Sequence, residues 1–231
     1  ASLQAVLFDL DDTLYPEREY VRSGFQAAAA WAETNLGIES RSGFAELWSY
    51  FESGVRGNTY NLWLEAHGFE AERWIPELVA VYREHIPDIK PHPGVVDLLK
   101  ALEATYHLGV ITEGHTISQQ NKLDALGLNG MFEVIVITGM DERDYWKPHA
   151  RPFTKALESL DVKPGQSMYI GDNPRKDFFG ARRLGMHTVR VLWPGGLNTP
   201  LQPESPMYDA DYSIENLNQL PGILASLEEG S

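Results

Sequence analysis

A chain of 231 residues, 43% hydrophobic and 23% charged, has the make-up of a soluble globular protein with one large domain or two modest ones, and no apolar run approaches the ~18 residues of a membrane span. The absence of cysteine excludes disulfides and thiolate metal sites, and a formal net charge of -14 sets the chain against nucleic-acid phosphates. A phosphate-binding site in such a chain must be made attractive locally, by a divalent cation, a lysine or backbone amides. The chain opens with no basic segment leading into an apolar signal core, so a cytoplasmic location is expected, with neither membrane nor nucleic acid as a partner.

The first element is an apolar run, Leu3 to Phe8, that stops in Asp9-Leu10-Asp11-Asp12-Thr13-Leu14. It reads as a buried strand whose tip delivers carboxylates to one place. Helical periodicity follows, in Phe25, Ala28, Ala29, Ala32 and Leu36, then Phe44, Leu47, Trp48, Phe51 and Val55, then Trp74, Leu78, Val81 and Tyr82. The spacing predicts a small aromatic-cored helical bundle. The proline-rich stretch from Ile86 to Gly94 marks a boundary. The expected division is a core of residues 1–15 and 87–231 with an inserted helical domain at 16–86.

Beyond the boundary, helices and strands alternate. Helix Val95–Ala104 precedes strand His107–Thr112, helix Ile117–Leu126 precedes strand Val134–Ile137, and helix Arg151–Leu160 precedes strand Ser167–Ile170. Helix Arg175–Leu184, strand Thr188–Leu192, a proline- and glycine-rich loop, a short extended piece near Ala210–Ile214 and a last helix opened by Pro221 complete the series. Such alternation predicts an α/β fold, a Rossmann-like parallel sheet with helices on both faces and the first strand among its members.

The residues just past the strands share a chemistry. Asp9 and Asp11 follow the first, Thr112 ends the second, Lys147 comes after the third, and Gly171-Asp172 with Asp177 follow the fourth. Strand tips of a parallel sheet lie along one edge, where ligands bind. Crowded carboxylates call for a hard divalent cation with oxygen ligands, of which magnesium is the natural choice. Lys147 and Thr112 would add the positive charge and hydroxyl that suit a tetrahedral dianion. Of two carboxylates at i and i+2, one can attack phosphorus while the other protonates the leaving oxygen, and spacing alone does not say which.

Asp9-Leu10-Asp11-Asp12-Thr13, Thr112, Lys147-Pro148 and the run Gly171 to Asp177 resemble, in order, the four motifs of the haloacid dehalogenase superfamily, as do Gly114, Lys122-Leu123 and Gly180-Ala181. The helical insertion matches the position of that superfamily's helical (C1-type) cap in its phosphatases. The resemblance implies an aspartyl-phosphate on Asp9, with Asp11 as general acid and then base. It implies magnesium held by the Asp9 carboxylate, the Asp11 backbone carbonyl and Asp172, with Asp177 supporting Lys147 or a metal-bound water. Thr112 and Lys147 would then grip the phosphoryl group.

Glu113 departs from the pattern, since relatives commonly carry Asn or Asp after the motif-two threonine. A longer carboxylate there could repel phosphate, or turn aside and contact the cap. The expected activity is magnesium-dependent hydrolysis of a small phosphomonoester, a sugar phosphate or nucleoside monophosphate. A phosphomutase on the same core and a non-turnover phosphate-binding or signalling module are the alternatives. Dehalogenation is disfavoured, because an acid at Asp11 helps expel an alkoxide while a halide needs no proton.

Overall fold

The fold was taken from a computed structural model, which describes residues 2–230. The chain divides into two units, Ala1–Glu17 with Lys90–Ser231, and Arg18–Ile89.

In the first unit a six-stranded sheet is built from β1 (Ala5–Phe8), β2 (His107–Glu113), β3 (Val134–Thr138), β4 (Ser167–Gly171), β5 (His187–Val191) and β6 (Tyr212–Ile214). All neighbours are parallel, in the order β3-β2-β1-β4-β5-β6. β1 is central because every one of its four residues is apolar and fully buried, so both faces and both edges must be covered. Ala5 and Leu7 join one core cluster with Ile111, Val136, Phe153, Leu157 and Tyr169, while Val6 and Phe8 point to the opposite face by the period of two. The strand order reverses direction at β1 and β4, the switch point outside which open α/β sheets bind ligands.

The helices of this unit, numbered in chain order after the four of the second unit, are α5 (Val95–Glu103), α6 (Thr116–Leu126), α7 (Arg151–Leu160), α8 (Phe179–Leu184) and α9 (Leu220–Glu229). Phe153 of α7 meets Tyr169 of β4 edge to face, ring centroids 4.9 Å apart. One expected boundary is corrected, because α8 begins at Phe179 and not at Arg175. Asp177 accepts the backbone N–H groups of Asp172 and Asn173 with its carboxylate, and Asn173 takes the Arg175 N–H with Oδ1 and the Asp177 N–H with its carbonyl, so residues 172–177 form a turn tied by side chains as well as backbone.

The second unit holds α1 (Glu17–Leu36, its first residue in the other unit), α2 (Ser40–Glu52), α3 (Thr59–Ala66) and α4 (Ala71–Glu84). Its core is aromatic, with Phe25, Phe51 and Trp63 buried. Gly24 of α1 lies against the Tyr82 ring, where an added Cβ would come within 2.2 Å of a ring carbon, so no larger residue fits that approach. α3 is short, and only Trp63 and Leu64 of its eight residues are buried.

Candidate active site

Lys147 is the hub of the polar cluster beyond the strand tips. Its side chain is fully buried, and Nζ lies 2.9 Å from Asp9 Oδ1 and 2.9 Å from Asp177 Oδ1. The same nitrogen is 3.1 Å from the Ile111 carbonyl and 2.5 Å from the Tyr169 hydroxyl. A buried ammonium survives only where carboxylates and hydrogen bonds replace water. Burial alone would push its pKa down, but Asp177, Asp9 and Glu113 outweigh that and hold it well above the usual lysine range. Lys147 is therefore a fixed positive charge.

Asp9 follows β1, is buried, and donates its backbone N–H to the Ile170 carbonyl at 2.8 Å. Burial and the nearby Asp177 raise its carboxyl to about 6, against the opposing pull of Lys147. Asp172 follows β4. Its Oδ1 accepts from Thr13 Oγ1 at 3.0 Å and its Oδ2 from Asn198 Nδ2 at 2.8 Å. Among the described residues no lysine or arginine pairs with it, and burial together with Asp9 and Asp177 raises its carboxyl well above the ordinary range. Carboxylate oxygens of Asp9, Asp172 and Asp177 all lie within 4.8 Å of one another. Of these three buried carboxylates Lys147 pairs with only Asp9 and Asp177, and the oxygen-only donor set fits a hard divalent cation that would supply the missing charge.

Gly171 makes this arrangement possible. An added Cβ would sit 2.5 Å from Asp177 Oδ2, so only glycine lets the Asp177 carboxylate close over the tip of β4.

Asp11 points elsewhere. Its Oδ1 is 2.8 Å from Lys122 Nζ and also accepts from the Tyr15 hydroxyl, and its Oδ2 accepts from Gln119 Nε2 at 2.9 Å. Burial pushes this carboxyl up, but the Lys122 charge and the hydrogen bonds of Lys122, Tyr15 and Gln119 overcome it and hold the pKa at about 2. The Asp11 carboxylate stands outside the metal-competent group, which includes Asp177. Gln119 Nε2 also reaches Thr112 Oγ1 at 2.7 Å, linking the motif-two hydroxyl to Asp11.

Asp12 is a structural residue. It adopts φ +59°, its Oδ1 accepts the Glu17 N–H at the start of α1 (3.0 Å), and its Oδ2 accepts the Leu197 N–H (2.6 Å). Trp193 Nε1 donates to the Thr13 carbonyl at 2.9 Å, so the loop after β5 is fastened to the acidic tip of β1. Glu113 turns to Lys176, Oε1 to Nζ 2.7 Å, with Oε2 3.9 Å from Lys147 Nζ. His115 occupies the N-cap position of α6, and Arg151, half exposed, lies 3.8 Å from Glu142.

The strand tips thus bring together Asp9, Thr112, Lys147, Asp172, Asp177 and Glu113, with Asp11 joined through Gln119 and Lys122. The sequence reading gave no role to Gln119, Lys122, Thr13, Tyr169 or Asn198. A signal for two of them exists, since Gln119, Lys122, Leu123 and Leu126 follow i, i+3, i+4, i+7, and all four are buried while Ile117 of the same helix is exposed. Polar residues on the inward stripe of a helix point to a site.

Comparison with known proteins identifies the family of the chain. The sequence profile of haloacid dehalogenase-like hydrolases matches residues 6–191. The chain is similar to the glyceraldehyde 3-phosphate phosphatase of Methanopyrus kandleri, at 32% identity covering 97% of this chain and 98% of that protein. It is also similar to the glyceraldehyde 3-phosphate phosphatase of Methanocaldococcus jannaschii, at 27% identity, covering 98% and 99%. Among solved structures, a haloacid dehalogenase-superfamily hydrolase of subfamily IA from Geobacter sulfurreducens superposes with a TM-score of 0.70 at 22% identity, covering 96% of each chain, which is a likeness of fold. With its profile match, its near full-length relatives and its parallel sheet with acidic strand tips, the chain belongs to the haloacid dehalogenase-like hydrolase family.

Proposed function

We propose that this hydrolase is a magnesium-dependent phosphatase that acts on a small phosphomonoester, a sugar or triose phosphate of the glyceraldehyde 3-phosphate kind, through an aspartyl-phosphate on Asp9. The observation that carries the reading is the buried Lys147 shared by Asp9 and Asp177 beside Asp172, with which no lysine or arginine pairs among the described residues. The phosphatase names of both full-length relatives support it.

The residues divide the work as follows. Lys147 engages Oδ1 of Asp9 and leaves Oδ2 to attack phosphorus, while Thr112 and Lys147 orient the phosphoryl oxygens. As the P–O ester bond breaks, Asp11, parted from Lys122 and protonated from solvent, gives that proton to the leaving oxygen. It then takes a proton from the water that attacks the phosphorus of the acyl phosphate, which frees Asp9 and inorganic phosphate. Asp9 and Asp172, with Asp177 beside them, would hold a magnesium ion, which supplies positive charge to the phosphoryl oxygens when bound. The helical unit, inserted in the chain directly after the acidic segment, is assigned the role of cap.

A phosphate-release screen over a panel of phosphomonoesters, glyceraldehyde 3-phosphate among them, tests the reading. Release that requires magnesium and stops with EDTA is expected. Isomerised product without free phosphate, or no release from any compound, would overturn it.

A further inference from the structure

Glu113 ends β2 directly after Thr112, and its side chain is only 4% exposed. Lys176 takes one of its carboxylate oxygens. The other, Oε2, is shielded from solvent yet accepts no hydrogen bond, and Lys147 Nζ, which binds Asp9, lies 3.9 Å from it. Buried polar atoms in native proteins are almost always paired, so an orphan acceptor at the edge of the phosphoryl-binding groups calls for a partner.

The chemistry of the group limits that partner. An ionised carboxylate accepts and cannot donate, so a phosphoryl oxygen or a second carboxylate would meet only repulsion there. A hydroxyl would satisfy it. Lys176 fixes the carboxylate by one oxygen and so keeps the other aimed toward Lys147. We propose that Glu113 is a specificity-determining residue whose Oε2 accepts a hydrogen bond from an uncharged hydroxyl near the substrate's ester oxygen. It thereby selects hydroxylated phosphomonoesters over their deoxy analogues and against substrates with a carboxylate near the ester. This inference rests on the phosphatase reading above and extends it to the organic half of the substrate.

The test compares kcat/KM for glycerol 3-phosphate, n-propyl phosphate and phosphoglycolate in the wild type, Glu113→Gln and Glu113→Ala, with magnesium present. Ratios within one protein are read, so a reduced folded fraction cancels. The wild type should prefer glycerol 3-phosphate to propyl phosphate by about 10-fold or more, the effect of one hydrogen bond to a charged acceptor. Glu113→Ala should bring that ratio near one. Glu113→Gln keeps an acceptor and loses the charge, so it should raise phosphoglycolate relative to propyl phosphate by about 10-fold. Ratios within about twofold of wild type in both variants would overturn the inference and leave the phosphatase reading standing. A wild type that releases phosphate from none of the three would overturn both.

Discussion

Lys122 Nζ stands 2.8 Å from Asp11 Oδ1, which places an ammonium against the carboxyl proposed to deliver a proton. The pair, with Gln119 and Tyr15, fixes Asp11 and holds its pKa at about 2. In this arrangement Asp11 is ionised, and the proposed mechanism requires it to part from Lys122 to hold a proton for the leaving oxygen. On that mechanism Lys122 is a positioning residue.

Lys122→Met is expected to lower kcat/KM for an alkyl phosphate by about 10- to 100-fold, the scale of a misplaced general acid. The loss should be smaller for 4-nitrophenyl phosphate, whose leaving group departs without a proton. The acidic limb of the pH profile should also move upward, because removal of the positive charge raises the Asp11 pKa from about 2. Parallel losses on both substrates with an unmoved limb would show that Lys122 is only structural.

Asn198 and Thr13 each donate one hydrogen bond to Asp172. Such bonds orient a carboxylate toward a metal, and their loss costs about 10- to 100-fold in affinity. Asn198→Ala and Thr13→Val should weaken magnesium binding by that factor, measured by titration calorimetry.

Much of the core site was legible in the sequence because buried strands end abruptly. Apolar runs that stop at Asp9, Thr112 and Asp172 identify the edge of the sheet before any coordinates, and β1 stands at its centre as its fully apolar character requires. Two of the members that escaped meet Asp172 from elsewhere in the chain. Thr13 meets Asp172 across 159 residues and Asn198 meets it across 26, and no local pattern encodes either pair. The start of α8 escaped because side-chain bonds of Asp177 and Asn173 hold residues 172–177 in a turn, and no apolar period in the sequence separates that turn from the helix it leads into. α3 escaped because it is only eight residues long, about two turns, too short for a helical period to show.

Burial raises the Asp9 pKa from 3.8 to about 6 in the folded chain without metal. The folded state then holds this proton more tightly than the unfolded chain. The stability it contributes is fully present below about pH 4 and is lost as pH rises through about 6. Magnesium should restore that loss, so the Tm gain from saturating magnesium is expected to grow between about pH 5 and 7 and then level. Differential scanning fluorimetry across this range measures it, and a gain independent of pH would contradict the assignment.

Gly171→Ala should destabilise the fold by about 1–3 kcal/mol, the cost of overpacking, because the new methyl would stand 2.5 Å from Asp177 Oδ2. Urea unfolding reads the change, and an unaltered midpoint would mean that Asp177 shifts without cost.

The central claim is that Asp9, tethered by Lys147, carries the phosphoryl group. Rapid acid quench of the enzyme with magnesium and a turned-over phosphomonoester, followed by peptide mass spectrometry, tests it most directly. The expected result is one phosphoryl group on the peptide bearing Asp9, absent in Asp9→Asn, whose phosphate release falls at least about 1,000-fold. A phosphoryl group on another residue, or turnover that survives Asp9→Asn, would contradict the account.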